Sequence, residues 1–329
     1  YPDDEKSDGL TFDIAKNAAD VLEFDKALEY YGRIIKYFSG GANAKDALYN
    51  AATLKVGIGD ARGAATDLEA YVRKFPEDSE NESLVWLAGE QWELVGDQEV
   101  LRFYQRYLDD RKGLDPGHTL EALFWIANHY EEQGNRNAPE AWQELVTTCD
   151  AYLAEGRKPG PRGVHRAASV VLRDLLKDVE AYKVIVYPDN SKSSFMTKWN
   201  ELKLSKDEQL AVIFERARSL REYKDPVTMM GSYYAQGEAQ LAFAELFFNV
   251  KPPEGLSDRM MEMFYGQIEK AAQPIQDSSM ASMEKVLELS AALKSNSEWV
   301  DKAIVTLNEL KPKKYPLEKP EARGAVDAS

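Results

Sequence analysis

Apolar residues along this chain recur at intervals of three and four, a spacing that predicts helices almost throughout. Runs of period two are nearly absent, with Val184–Tyr187 a short exception. A first helix carries Phe12, Ile14, Ala15, Ala18 and Ala19. A second carries Ala27, Tyr30, Tyr31, Ile34 and Ile35, and Gly40-Gly41 stops it. A second pair turns at Gly59-Asp60, with Leu48, Ala51 and Ala52 before and Ala64, Leu68 and Tyr71 after, and closes on Phe75-Pro76. The arrangement returns 37 residues later at Gly96-Asp97, between Val85, Ala88, Gly89 and Leu101, Gln105, Leu108. Two-helix units at a fixed period in this range predict a stacked repeat, which offers a curved surface for holding another chain.

Unit one runs from about Leu10 to Ser39, unit two from Asp46 to Pro76, and unit three from Ser83 to Arg111. Unit four starts at Thr119 with Leu123, Ile126, Ala127 and Tyr130 on one face and turns at Gln133–Pro139. Pro159-Gly160-Pro161 is a break. Beyond it the helices are less regular, at about Gly163–Ala181, Ser205–Tyr223, Pro226–Phe248, Ser257–Ala272, Asp277–Lys294 and Glu298–Leu310. The expected organisation is four hairpins over 1–156, irregular helices over 157–312 and an unfolded tail over 313–329. The middle segment is read as continuing the same array, with a separate helical domain as the alternative.

The first half resembles tetratricopeptide repeats. Unit two supplies Leu48, Ala51-Ala52, Gly59-Asp60, Ala64, Leu68 and Phe75-Pro76, and unit three supplies Val85, Ala88-Gly89, Trp92 and Gly96-Asp97. The period departs from the family's usual one. Leu101 and Gln105 stand where alanine and an aromatic are usual, and the fourth turn is long. The resemblance implies an all-α fold, a right-handed superhelical solenoid of helical hairpins, that holds a protein or peptide in a concave groove. The second half looks like the C-terminal part of large tetratricopeptide-type envelope proteins of myxobacteria and related predatory bacteria. The residues behind this are Gly237-Glu238, Phe243–Leu246, Pro252–Leu256, Ala271, Pro274, Trp299, Leu307, Leu310, Pro312 and Tyr315. That likeness implies a scaffold within a bacterial envelope assembly, periplasmic or associated with the outer membrane. It leaves a cytoplasmic location open.

One position on the first helix of each unit holds an aromatic: Phe12, Tyr49, Trp86 and Phe124. Stacked units would align these rings in a column on the inner wall. Asn50 and Trp125 follow two of the rings directly, and Asn128 lies one turn beyond the fourth. Such a set suits peptide binding, the rings giving apolar contact and the asparagines backbone hydrogen bonds. The competing reading is that the rings only pack between neighbouring helices. Some co-chaperone repeats clamp a terminal carboxylate with Lys, Asn and Arg. Asn50 matches that asparagine, but Ser83 and Leu87 hold the cationic places in unit three, so the clamp is not expected.

Composition narrows the partner. A net charge of −15 argues against nucleic acid and against an anionic membrane surface. It suits a basic partner or plain solubility. With 44% apolar and 29% charged residues this is a folded chain. No apolar run is long enough to form a transmembrane segment. It starts at Tyr1, which suggests processing or trimming, so the absence of a signal peptide says nothing of targeting. The single cysteine, Cys149, reads as a small buried hydrophobe. The histidines His118, His129 and His165 form no spaced metal cluster, and no phosphate loop or nucleophile elbow is present. The chain therefore reads as a non-catalytic scaffold without cofactor or metal. A glycan- or small-ligand-binding repeat protein, with Trp86 and Trp125 stacking on sugar rings, is the alternative.

Overall fold

The computed structural model describes residues 5–317, and among these every regular element is helical. Thirteen α-helices follow one another: α1 Glu5–Asp20, α2 Phe24–Tyr37, α3 Ala44–Ile58, α4 Ala61–Lys74, α5 Asn81–Val95, α6 Asp97–Arg111, α7 Pro116–Glu132, α8 Ala138–Ala154, α9 Gly160–Lys183, α10 Phe195–Leu220, α11 Pro226–Phe248, α12 Asp258–Leu293 and α13 Glu298–Leu310. A single 3₁₀ turn, Arg221–Tyr223, follows α10. The all-α class and the hairpin architecture expected from the periodicity are both present. The chain divides into two compact units, Tyr1–Leu145 and Val146–Ser329.

In the first unit each helix packs on the next, α1 on α2 and so on through α6 on α7. Small residues make the close approach possible. Ala15, Ala18, Ala27, Ala47 and Ala51 are buried together with Tyr31 and Ile34, and Ala52, Ala88 and Ala122 with Leu48, Leu68, Leu84 and Tyr104. The two Gly-Asp turns, alike in sequence, differ in geometry. Gly59 ends α3 in the left-handed region at φ 81°, ψ 15°, and Asp60 then caps α4 by accepting the Gly63 amide at 3.0 Å. Gly96 alone joins α5 to α6 with φ 85° and ψ 175°, a conformation open only to glycine, and Asp97 already lies within α6.

The second unit is organised around α11, which is buried on most of its circumference and packs against α9, α10, α12 and α13. Its core joins Leu172, Trp199, Met230, Phe243, Met283, Trp299 and Leu307. The two helices expected over Ser257–Ala272 and Asp277–Lys294 are one continuous helix, α12, with Pro274 inside it. Proline removes one intrahelical bond. Buried Ala272 before it and Met280 and Met283 beyond it hold the axis against that loss. The Val184–Tyr187 stretch forms no strand, and Lys206 donates to the carbonyls of Tyr182 and Val184, ending α9. The expected tail begins with a packed segment. Tyr315 lies against the second core, its carbonyl accepts from Asn308 at 2.7 Å, and its hydroxyl bonds Glu284. From residue 318 the expected tail lies outside the described residues.

Candidate functional site

The four column residues fall on the first helix of successive hairpins, Phe12 on α1, Tyr49 on α3, Trp86 on α5 and Phe124 on α7. None of the four is fully buried: Tyr49 is 37% exposed and the other three are half-buried. Each ring meets an aromatic of the second helix of its own hairpin. Phe12 stands edge-on to Tyr31 at 5.9 Å between centroids, and Tyr49 to Tyr71 at 6.0 Å. Trp86 meets Tyr104 and Tyr107 at 6.1 Å, and Phe124 meets Trp142 at 5.6 Å. Edge contacts of this kind fix ring orientation and leave the remaining edge and face for other contacts. The sequence pattern showed the four column positions but not these braces, because their separation from the column residue varies from hairpin to hairpin.

The polar candidates behave differently. The Asn50 side-chain amide donates to the Tyr31 hydroxyl at 3.4 Å, and that of Asn128 to Glu132 at 2.8 Å. Both amides thus already have partners within the unit. Trp125 stacks with Tyr104, its ring 10° from parallel at 6.3 Å, and its indole N–H is buried with no hydrogen-bond partner.

Around Trp86 lies a polar knot that the spacing did not reveal. The Glu82 carboxylate accepts from Tyr107 at 2.8 Å and Arg111 at 2.8 Å and contacts His118 Nδ1 at 3.2 Å. The His118 ring covers one face of Trp86, with centroids 4.0 Å apart and planes 5° from parallel. Burial pushes the Glu82 carboxyl up, but the bonds to His118, Tyr107 and Arg111 outweigh it and leave the group below its ordinary value. Glu82 is therefore an anion at neutral pH that orients His118 over the indole. On the second helices, charges at equivalent places pair between hairpins: Arg62 with Glu99 at 3.1 Å and Glu69 with Arg106 at 2.9 Å.

Cys149, at the start of the second unit, is fully buried, and burial with Asp150 beside it pushes its thiol up to about 12, far from thiolate reactivity. Among the described residues no group of His, Cys, Asp and Glu is placed to hold a metal ion, and no helix is long and apolar enough to cross a membrane.

The hairpins of the first unit define a class, the all-α helical-repeat proteins. Within it, residues 46–78 match the family model described as tetratricopeptide repeat. The match takes in α3, the Gly59-Asp60 turn and α4, the hairpin whose glycine, cap and alanine positions follow the family pattern most closely. No curated protein matches the chain. Tetratricopeptide repeats are in general protein–protein interaction modules.

Proposed function

We propose that the chain is a scaffold or adaptor whose first unit, itself non-catalytic, binds a partner protein or peptide along the face carrying Phe12, Tyr49, Trp86 and Phe124. One observation carries this reading: the same repeat position offers a partly exposed ring in four successive hairpins, each braced by a second aromatic. Rings held in place before binding lose little freedom when a partner arrives, and aromatic anchors supply much of the affinity of protein interfaces. Asn50, Trp125 and Asn128, near the column in the sequence, complete the proposed contact set. The excess of acidic residues favours a partner with basic segments. The glycan alternative is served less well, since His118 already lies on one face of Trp86 and Trp125 is stacked with Tyr104.

The setting we propose is a bacterial envelope assembly, periplasmic or at the outer membrane, and its support is the resemblance read from the sequence of the second half alone. Fractionation of the native cells tests it, and recovery in the soluble cytoplasm would overturn it. For the binding face, a peptide ligand selected from a random library is titrated against the wild type and against Trp86→Ala and Phe124→Ala. Each change should weaken binding about 30-fold or more, the effect of losing an anchor residue. Unchanged affinity with helical content intact would remove the column from the binding face.

A further inference from the structure

Within the second unit, α9 and the starts of α11 and α13 line an open cleft of about 650 Å³ that has no role in partner binding by the first unit. Its apolar wall includes Leu172, Leu176, Val227 and Trp299. On the α9 side it is lined by His165 and, one turn later, Ser169. His165 Nδ1 lies 3.1 Å from the carboxylate of Asp225, and His165 Nε2 lies 3.5 Å from the hydroxyl of Ser169. Asp225 is itself fixed. It caps α11 by accepting the Thr228 amide at 2.9 Å, and its side chain is only 10% exposed.

The proton arrangement follows from the partners. A carboxylate can only accept, so in the neutral imidazole the Asp225 contact puts the proton on Nδ1 and leaves the lone pair of Nε2 facing the serine. Serines inside helices usually donate back to a carbonyl of the preceding turn. Ser219, Ser232 and Ser278 do so here, whereas the hydroxyl of Ser169 faces a ring nitrogen. A nucleophile, a base in reach of it and a third group orienting the base form a constellation that supports acyl transfer on unrelated folds. A separation of 3.5 Å is of the kind that tightens when a substrate is bound.

We propose that Ser169, His165 and Asp225 form an acyl-transfer site acting on neutral esters with a small apolar acyl group. Ser169 Oγ adds to the ester carbonyl carbon while its proton passes to His165 Nε2. The tetrahedral adduct collapses, the bond to the alcohol oxygen breaks, and the alcohol leaves with the proton from His165. Water then attacks the acyl-serine with His165 again as base, releasing the carboxylic acid and restoring Ser169. Asp225 is a positioning residue. The backbone amides around Ser169 belong to the helix, so the oxyanion must be met by side chains. The candidates are Arg173, one turn beyond Ser169, and Lys177, which line the same cleft, Lys177 while also pairing with Asp174 at 3.0 Å. Glu180 and Glu298 also line it, which disfavours an acidic acyl group.

The test uses the full chain with p-nitrophenyl butyrate and, separately, a fluorophosphonate probe followed by peptide mass spectrometry. Hydrolysis above buffer and an adduct on Ser169 are expected. Ser169→Ala and His165→Gln should each lower hydrolysis about 100-fold or more, to the buffer level, and abolish the adduct. Ser169→Ala removes one hydroxyl and should leave the circular dichroism spectrum and melting temperature unchanged, which separates lost chemistry from lost fold. No hydrolysis by the wild type, hydrolysis undiminished in Ser169→Ala, or an adduct on another residue would each overturn the assignment.

Discussion

The carboxylate of Asp78 shows how a single residue closes a repeat. It accepts the amide of Glu80 at 2.9 Å and the hydroxyl of Tyr71 at 2.6 Å, and it pairs with Lys45 at 2.6 Å. The Glu80 amide, then Lys45 and Tyr71, hold its carboxyl well below the ordinary aspartate range. A depressed folded-state value means stability that is present above the unfolded value of about 4 and lost as pH falls. Asp78→Asn should therefore lower the melting temperature most at neutral pH, and the gap to the wild type should close as the solution is acidified. A pH series of thermal melts checks this, and a gap independent of pH would contradict it. Tyr71 complements the pair: burial, then Asp78, push its hydroxyl up to about 12. Lys206 is a second local device. It is 7% exposed, and burial lowers its pKa while it donates to the Tyr182 and Val184 carbonyls at the end of α9. Lys206→Met leaves those carbonyls without the donor and should destabilise by about 1–3 kcal/mol in denaturant unfolding.

At the scale of the helix, the repeat register predicts which positions tolerate charge. Leu10 and Ile14 of α1 correspond to Ala47 and Ala51 of α3, Leu84 and Ala88 of α5, and Ala122 and Ile126 of α7. The six later residues are all buried, at 8% exposure or less, whereas Leu10 is 64% and Ile14 41% exposed. Ala47 and Ala51 share a core cluster with Tyr31 and Ile34 of the preceding helix. Ile14→Lys should accordingly change stability by less than about 0.5 kcal/mol. Ala51→Lys forces an ammonium between packed helices and should cost about 2 kcal/mol or more, read from urea midpoints. Equal effects of the two changes would break the proposed equivalence. The hairpins themselves were legible because Gly59, Asp60 and Pro76 act locally, through backbone conformation and capping. The continuity of α12 was not. Pro274 is a local stop signal, and what overrides it is the packing of α12 on α11, where Ser279 meets Gly237 from 42 residues away. The aromatic column was legible as a position, but its bracing partners were not. Likewise His165 and Ser169 share a helical face visible in the sequence, whereas Asp225 reaches them from 60 residues away.

Taken whole, each of the two compact units buries its own side chains, the first among others around Leu68, Ala88 and Tyr104 and the second around Met230, Met283 and Leu307. The two sets differ in kind. The first is rich in alanine and aromatics, so its hairpins approach closely and gain stability from each neighbour in turn. The second surrounds one long buried helix, α11, where Gly237 lets Met283 and the Ser279 backbone come near, and Ser279 donates to the Gly237 carbonyl at 2.7 Å. Leu68 is 1% exposed and Met283 is fully buried, so truncating either to alanine should cost about 2–5 kcal/mol. Because the two side chains lie in separate clusters, their effects should add in the double variant to within about 0.5 kcal/mol. Hydrogen exchange read by mass spectrometry locates the damage. Leu68→Ala should raise exchange within α3 to α6 and leave α11 and α12 protected, and Met283→Ala should do the reverse. Exchange rising equally in all helices for either variant would mean that the chain unfolds as one cooperative body, and the proposed division of labour between a binding unit and a cleft-bearing unit would lose its thermodynamic basis.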